Sequence, residues 1–293
     1  MAIHLKARLV HLLNRVADDM IAKKMRRKRE LRDKRRADAT AAWHARLPPA
    51  RSLDSTNALR IAGSEVSHQS ESPFFSKLPL EIRRLVYAEV FTGNELLFQV
   101  INESKSAANT DETGKENISF ELKCHAARGS LSFPISCKLA YTEALQYVYT
   151  CSTFRLTGLT EYWCLTRLVS SQYLDLIRDL HVQYAYTGTG FDRDLTLGTP
   201  PYNLRCWKET WDDIARLKGL VRVRIDMFRY ELYVVPEDEE LYFSSLDHLR
   251  RRVELEVNVS WQSGPAVWIW PFSLKRGMVM RKERHGNFSL EAE

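Results

Sequence analysis

The sequence predicts a mixed α/β protein in which two amphipathic helices and a small hairpin are followed by irregular helix–strand units that build a mostly parallel sheet. Three observations carry this. Helical stripes at Tyr162–Leu176, at Leu204–Leu217 and after Pro236 are each followed by a short alternating strand, at Leu180–Tyr184, Val221–Met227 and Val253–Val259. Connections of that length favour parallel crossovers, right-handed by default. Upstream, two apolar runs at 95–101 and 118–123 enclose a stretch, 102–117, too polar to pack, which reads as a hairpin with a long loop.

The chain opens on a basic tail, 1–46, helical or disordered. Residues 1–60 hold 16 Lys and Arg against 6 Asp and Glu, and the remaining 233 hold 27 against 31, so the net charge of +6 divides into +10 and −4. The densest run is Lys23, Lys24, Arg26, Arg27, Lys28 and Arg29, continued by Arg32, Lys34, Arg35 and Arg36. As a nuclear signal it would use Lys23, Lys24, Arg26, Arg27, Lys28, Arg29, Lys34, Arg35 and Arg36; as a phosphate contact its affinity would depend on salt. No aromatic residues interleave with these charges, which disfavours base stacking. A solvated helix is the plainer reading, helped by Glu30 four residues before Lys34. Residues 1–16 are mildly amphipathic, as in a mitochondrial presequence, but Asp18 and Asp19 oppose that, and Lys6, Arg8, His11 and Arg15 interrupt any secretory apolar centre. From 47 to 73 the composition turns to Pro, Ser, Asn, Gly and Glu, that of a flexible linker.

The folded region begins near Phe74. Pro79 suits a first helical position, and Ile82, Leu85, Val86, Val90 and Phe91 then fall on one stripe, with Glu81, Arg83, Arg84 and Glu89 on the other side. Gly93 sits where a left-handed cap ends such a helix. A second helix opens near Pro134 and runs through Cys137, Ala140, Tyr141, Ala144, Leu145, Val148 and Tyr149 until Ser152 and Thr153 stop it.

These two helices, KLPLEIRRLVYAEVF and SCKLAYTEALQYVYTCSTFRL, resemble the paired signatures of a family of fungal F-box-like proteins of unknown function. Leu78, Pro79, Glu81, Ile82, Arg83 and Tyr87 match the first signature, with Val86 for its usual Ile. Glu143, Ala144, Tyr149 and Phe154 match the second, while Cys137-Lys138-Leu139 replaces Cys-Arg-Gln. The resemblance covers roughly residues 73 to 186. It implies an F-box-like module at 74–156, hairpin included, whose Leu78, Pro79, Ile82, Leu85 and Val86 would contact a Skp1-like subunit of a ubiquitin ligase. The helix–strand region, 157–275, would pack on that module and hold a substrate.

The steps between its strands are too uneven for a regular repeat and suit an irregular leucine-rich-like stack. Parallel sheets covered on both faces show continuous apolar runs, whereas these strands alternate, so one face is expected to be open. It would present His181 and Gln183, then Arg222, Arg224 and Asp226, then Glu254, Glu256 and Asn258, as a substrate face or as rows that pair with each other. Trp261, Trp268 and Trp270 flank a Ser263-Gly264-Pro265 turn, which predicts a hairpin closing the sheet edge, and 276–293 reads as a tail.

At 293 residues and 44% hydrophobic the chain can bury a substantial core, and no run reaches the roughly 20 apolar residues of a membrane span. Five cysteines with no close pair argue for a reducing compartment. Cys124, Cys137, Cys151 and Cys164 are spaced too evenly for zinc ligands, and Cys124-His125 supplies one ligand at best. Gly188-Thr189-Gly190 lacks the third glycine and the helix of a dinucleotide site, and the serine-hydrolase, phosphate-loop and zinc-protease motifs are absent. The expectation is therefore a non-enzymatic protein-interaction molecule without cofactor, nuclear or cytoplasmic within the cell and not membrane-bound, acting as an F-box-like adaptor. The alternatives are a nuclear protein that binds nucleic acid through its tail and a structural scaffold with the F-box-like helices buried.

Overall fold

The computed structural model of the chain describes residues 2–48, 72–104, 118–126, 138–186, 203–229, 236–261, 272–276, 278–282 and 288–291. The helices are α1 (Ala2–Arg46), α2 (Pro73–Lys77), α3 (Leu80–Phe91), α4 (Lys138–Cys151), α5 (Leu159–Leu168), α6 (Ser171–Leu174), α7 (Leu204–Ile214), α8 (Pro236–Phe243) and α9 (Asp247–Arg250). The strands are β1 (Glu95–Ser104), β2 (Ile118–Ala126), β3 (Thr153–Leu156), β4 (Asp179–Tyr186), β5 (Arg222–Arg229), β6 (Glu254–Val259), β7 (Ser273–Lys275), β8 (Val279–Lys282) and β9 (Phe288–Glu291). The chain divides into two compact units, Met1–Ala45 and Arg46–Glu293. The first is α1; the second carries every other element.

Seven strands form one sheet in the order β2-β1-β3-β4-β5-β6-β7. Only β1 and β2 pair antiparallel; every other neighbouring pair is parallel. From β3 to β7 each strand lies beside its predecessor in sequence, so right-handed crossovers all step the same way and carry their helices to a single face. This is the mixed α/β helix–strand stack that the sequence predicts.

The helix-covered face is the core. Leu96 and Phe98, Phe154 and Leu156, Leu180, Val182 and Tyr184, Val223, Ile225 and Met227, and Leu255, Val257 and Val259 share one buried cluster with Tyr162 of α5 and Trp207, Trp211 and Ile214 of α7. Every second residue of each strand enters it, as the pleat requires. Large aromatic rings fill the layer: Phe98 and Tyr149 both stack on Phe154 at 5.3 Å, and Tyr184 meets Trp207 at 4.7 Å. Each fully buried side chain of this size contributes about 2 to 3 kcal/mol by leaving water.

Turns and caps fit this layer. Gly93 takes φ 73°, the left-handed conformation expected after α3. Gly219 is required by crowding: a Cβ there would lie 2.2 Å from the Asp175 carbonyl oxygen. Asn203 caps α7 by accepting from the Cys206 amide at 2.7 Å. Glu161, on α5, lies beyond the end of β3 and accepts from the Val100 amide of β1 at 3.1 Å and from the Thr157 hydroxyl at 2.8 Å. A side-chain carboxylate thus takes the place of the next β3 carbonyl in the ladder, and burial raises its pKa against those hydrogen bonds.

Several expectations are corrected. The second helix ends at Cys151, at the expected stop, and Thr153–Leu156, given no element by the sequence reading, is a strand that places the β1–β2 hairpin in the main sheet, so 74–156 and 157–275 share one sheet and one core. The stripe Tyr162–Leu176 is two helices, broken at Val169-Ser170, where Ser170 takes an extended conformation before α6. The helix after Pro236 divides into α8, a 3₁₀ turn at Ser244–Leu246, and α9. Among the described residues past Trp261 the sheet gains β7, parallel to β6. The presumed tail contains the antiparallel pair β8–β9. The residues 49–71 of the expected linker, the loop after Ser104, Pro134, Cys137, Gly188-Thr189-Gly190, Ser263-Gly264-Pro265, Trp268 and Trp270 lie outside the described residues.

Candidate functional site

Two surfaces of the folded unit and one of α1 collect the residues that the sequence singles out. The first is built on α3. Residues 83, 87 and 91 recur every four positions and therefore share a face; Tyr87 and Phe91 are buried there. Arg83 joins them because it has somewhere to put its charge. Its Nε and Nη2 donate to the two carboxylate oxygens of Glu143 on α4 at 2.9 and 2.8 Å, and its Nη1 donates to the carbonyls of Leu78 and Phe75 at 2.6 and 3.2 Å. The Tyr87 hydroxyl donates to the same carboxylate at 2.8 Å. The Arg83 guanidinium beside it holds Glu143 below the usual carboxylate range, chiefly through their hydrogen bonds. Arg83, Tyr87 and Glu143 all belong to the two signature words, so these words meet in space as an internal latch between α3 and α4.

With Arg83 and Tyr87 turned inward, the apolar stripe of α3 turns outward, which corrects the assignment of Arg83 to the outer side. Leu85 is 66% exposed, Ile82 43% and Val90 39%. Val86 and Leu78 are half-buried and Pro79, which caps α3 in an extended conformation, is exposed. Of the five expected partner contacts, Ile82 and Leu85 thus stand on one solvent-facing ridge, bordered by the exposed Glu81, Arg84 and Glu89. The buried-helix arrangement does not describe this stripe. Phe91 alone of its members is inside.

The second surface is the sheet face away from the core. Register aligns its residues into rows: Thr153, Asp179, Arg222 and Glu254; Arg155, His181, Arg224, Glu256 and Ser273; Gln183, Asp226, Asn258 and Lys275. Contrary to the open face expected, His181, Gln183, Asp226 and Asn258 are buried. Arg224 and Glu256 are half-buried, and Arg222 and Glu254 alone of the eight are exposed. Alternation identifies the polar side of a strand but not its partners. Here they pair laterally, which removes the cost of burying them.

Asp226 is the centre of this network. His181 Nε2 lies 2.8 Å from its Oδ2, Asn258 Nδ2 donates to its Oδ1 at 2.8 Å and Arg224 Nε donates to the same oxygen at 3.0 Å. Burial favours the neutral acid, but the hydrogen bond and charge of His181 outweigh it and hold Asp226 at about 2. Burial likewise works against a charged His181, yet the hydrogen bonds to Asp226 and Glu95 raise its pKa overall. Glu95, 3.6 Å from His181 Nδ1, is also paired with Arg155 at 3.4 Å and stays below its ordinary value, first through the His181 hydrogen bond. Nearer the surface, Arg222 lies 3.2 Å from Asp179 and 3.7 Å from Glu254, and Lys275 lies 2.7 Å from Glu256. Of the Arg and Glu rows, Arg222 and Glu254 pair with each other, while Arg224 lies on Asp226 and Glu256 on Lys275.

Sequence reasoning missed Glu95, Arg155, Glu143 and Glu161 as working groups. Arg155 had a legible signal, a lone cation alternating with Phe154 and Leu156; the others depend on contacts more than 50 residues away in the chain. Among the described residues no group of three or more His, Cys, Asp and Glu side chains is placed to hold a metal ion, and no helix is long and apolar enough to cross a membrane. In α1, Lys23, Lys24, Arg26, Arg27, Lys28, Arg29, Lys34 and Arg35 are exposed and Arg32 is half-buried; the side chain of Arg36 lies outside the described residues.

A family model described as a domain of unknown function (DUF7730) matches residues 67–270, which takes in α2 to β6. No curated protein and no solved structure matches the chain.

Proposed function

For a chain that belongs to the DUF7730 family of domains of unknown function, we propose a non-enzymatic role in protein–protein interaction, as an F-box-like adaptor that offers α3 to a Skp1-like subunit of a ubiquitin ligase. The observation that carries this reading is the split character of α3. Its inner face is locked to α4 by the Arg83–Glu143–Tyr87 latch, while Ile82, Leu85 and Val90 stand in solvent. A packed helix ordinarily buries its apolar stripe; one that exposes it on a rigid base fits the helix-in-groove mode of recognition. Pro79 and the half-buried Leu78 and Val86 would complete the contact. The substrate would meet the other end of the sheet's polar face, where Arg222 and Glu254 remain exposed. The protein would act in the nucleus or cytoplasm, with the run from Lys23 to Arg36 as its nuclear signal.

The test is capture of a purified Skp1-like subunit by the full chain and by its Ile82→Glu, Leu85→Glu double variant. Both side chains are exposed, so the variant should unfold in urea within about 0.5 kcal/mol of the wild type. Capture should fall at least tenfold. Wild-type protein that captures no Skp1-like subunit, or a double variant that captures it undiminished, rejects the adaptor reading.

A further inference from the structure

The reading above uses the basic segment of α1 only as a nuclear signal, and its geometry distinguishes among polyanions. From Lys23 to Arg35 the chain is uninterrupted helix, with eight exposed cations and the acids Glu30 and Asp33. At 1.5 Å per residue these 13 positions span about 20 Å. At about 100° per residue, Lys23, Lys34 and Arg27 lie along one line at about 0° to 40°, and Lys24, Arg35 and Lys28 along a second at about 100° to 140°. Arg29 and Arg26 follow at about 240° and 300°. The cations surround the axis with no gap wider than about 100°, and the acids Asp33 and Glu30 fall at about 280° and 340°, on the side of Arg29 and Arg26.

A flat anionic surface would engage one side of such a rod and leave the rest in water. Surface helices of that kind also separate an apolar face from a charged one. In α1 the exposed Met20, Leu31, Ile21 and Met25 fall at about 60°, 80°, 160° and 200° on the same scale, among the cations rather than opposite them. A groove with phosphates on both walls uses charge on several sides at once. The major groove of B-form DNA is about 12 Å wide, the diameter of a helix with its side chains. The corresponding groove of an RNA duplex is too narrow to admit a helix.

From this we infer that the Lys23–Arg35 stretch of α1 is a phosphate-binding rod for double-stranded DNA, seated in the major groove. Its cations are placed to meet phosphates, contacts that position the helix on the duplex and carry no sequence information of their own. The inference is independent of the α3 contact.

The experiment measures binding of the full chain to a fluorescein-labelled 24-base-pair DNA duplex of mixed sequence, by anisotropy, from 50 to 200 mM KCl. If five to eight cations meet phosphates, log K should fall against log salt with a slope of about −4.5 to −7. Replacing Lys23, Arg27 and Lys34 by Gln, or Lys24, Lys28 and Arg35 by Gln, should each make the slope shallower by about 2 to 3, because both walls are in contact. Gln is close to Lys and Arg in helix propensity, and circular dichroism checks that α1 persists. Four results overturn the inference: no duplex binding at 50 mM KCl; an unchanged slope in either triple variant; equal affinity for an RNA duplex of the same length; or tighter binding to vesicles containing phosphatidylserine or to polyglutamate. The last pair would point to a membrane surface or to an acidic protein groove.

Discussion

Replacing His181 by Gln, Asp226 by Asn, and then both together would measure the charge pair at the centre of the sheet's polar face. The two groups are 2.8 Å apart, with Asp226 wholly buried. Unit charges at that distance attract by about 6 kcal/mol at an effective dielectric of about 20, and the cost of desolvating both ions cancels much of it. A scale comes from the carboxyl itself: lowering Asp226 from 3.8 to about 2, the net of burial against His181, Asn258 and Arg224, corresponds to about 2 kcal/mol. The pair should therefore show a coupling energy of about 2 to 4 kcal/mol at pH 5.5. The groups facing it are Glu95, 3.6 Å from the other ring nitrogen, and Arg224, on Asp226 at 3.0 Å; Arg155 is held off by its own pairing with Glu95. The two partners bound a pH window. The raised pKa of His181 gives stability that is complete below its unfolded value near 6.5 and disappears as pH climbs through the folded value. The depressed pKa of Asp226 gives stability that is complete above 3.8 and disappears as pH falls through about 2. Coupling should be flat between about pH 4 and 6.5 and smaller at pH 9.5, where a neutral imidazole faces a carboxylate that is still ionised. Urea unfolding of the four proteins at pH 5.5 and 9.5 gives the cycle directly. A coupling below about 0.5 kcal/mol at pH 5.5, or the same coupling at both pH values, would refute a buried ion pair.

Two further outcomes follow from the same sheet. Ile225 is fully buried against the helices, so Ile225→Ala should cost about 2 to 5 kcal/mol, whereas Arg222→Ala, exposed on the opposite face, should change stability by less than about 0.5; equal losses in urea unfolding would show that the two faces are not differently covered. Glu161→Gln keeps an acceptor for Val100 and Thr157 while removing a buried carboxylate whose raised pKa makes its charge a burden above about pH 4.5, so the urea midpoint should rise at pH 8 and change little at pH 4; a lower midpoint at pH 8 would mean that the ionised form is the one the site prefers.

Local pattern was enough to place β4, β5 and β6 and the helical stripes before them, their parallel stack and the identity of the core-facing residues. Val223, Ile225 and Met227 alternate with Arg222, Arg224 and Asp226, and a pleated strand can put only one of these sets against the helices. The stop after α3 was legible for the same kind of reason, since Gly93 is the residue that tolerates a left-handed turn. What pattern could not determine was which polar groups find each other. Arg83 reads as surface charge until Glu143, 60 residues later, supplies two oxygens at hydrogen-bond distance, and only then does α3 rotate Ile82 and Leu85 into solvent. His181 and Asp226 read as an open polar face until the register of β4 on β5 sets them side by side. Hydrophobic burial is non-directional and leaves a periodic trace along the chain. Hydrogen bonds and ion pairs are directional and short-ranged, so their partners exist only once the fold has brought distant segments together.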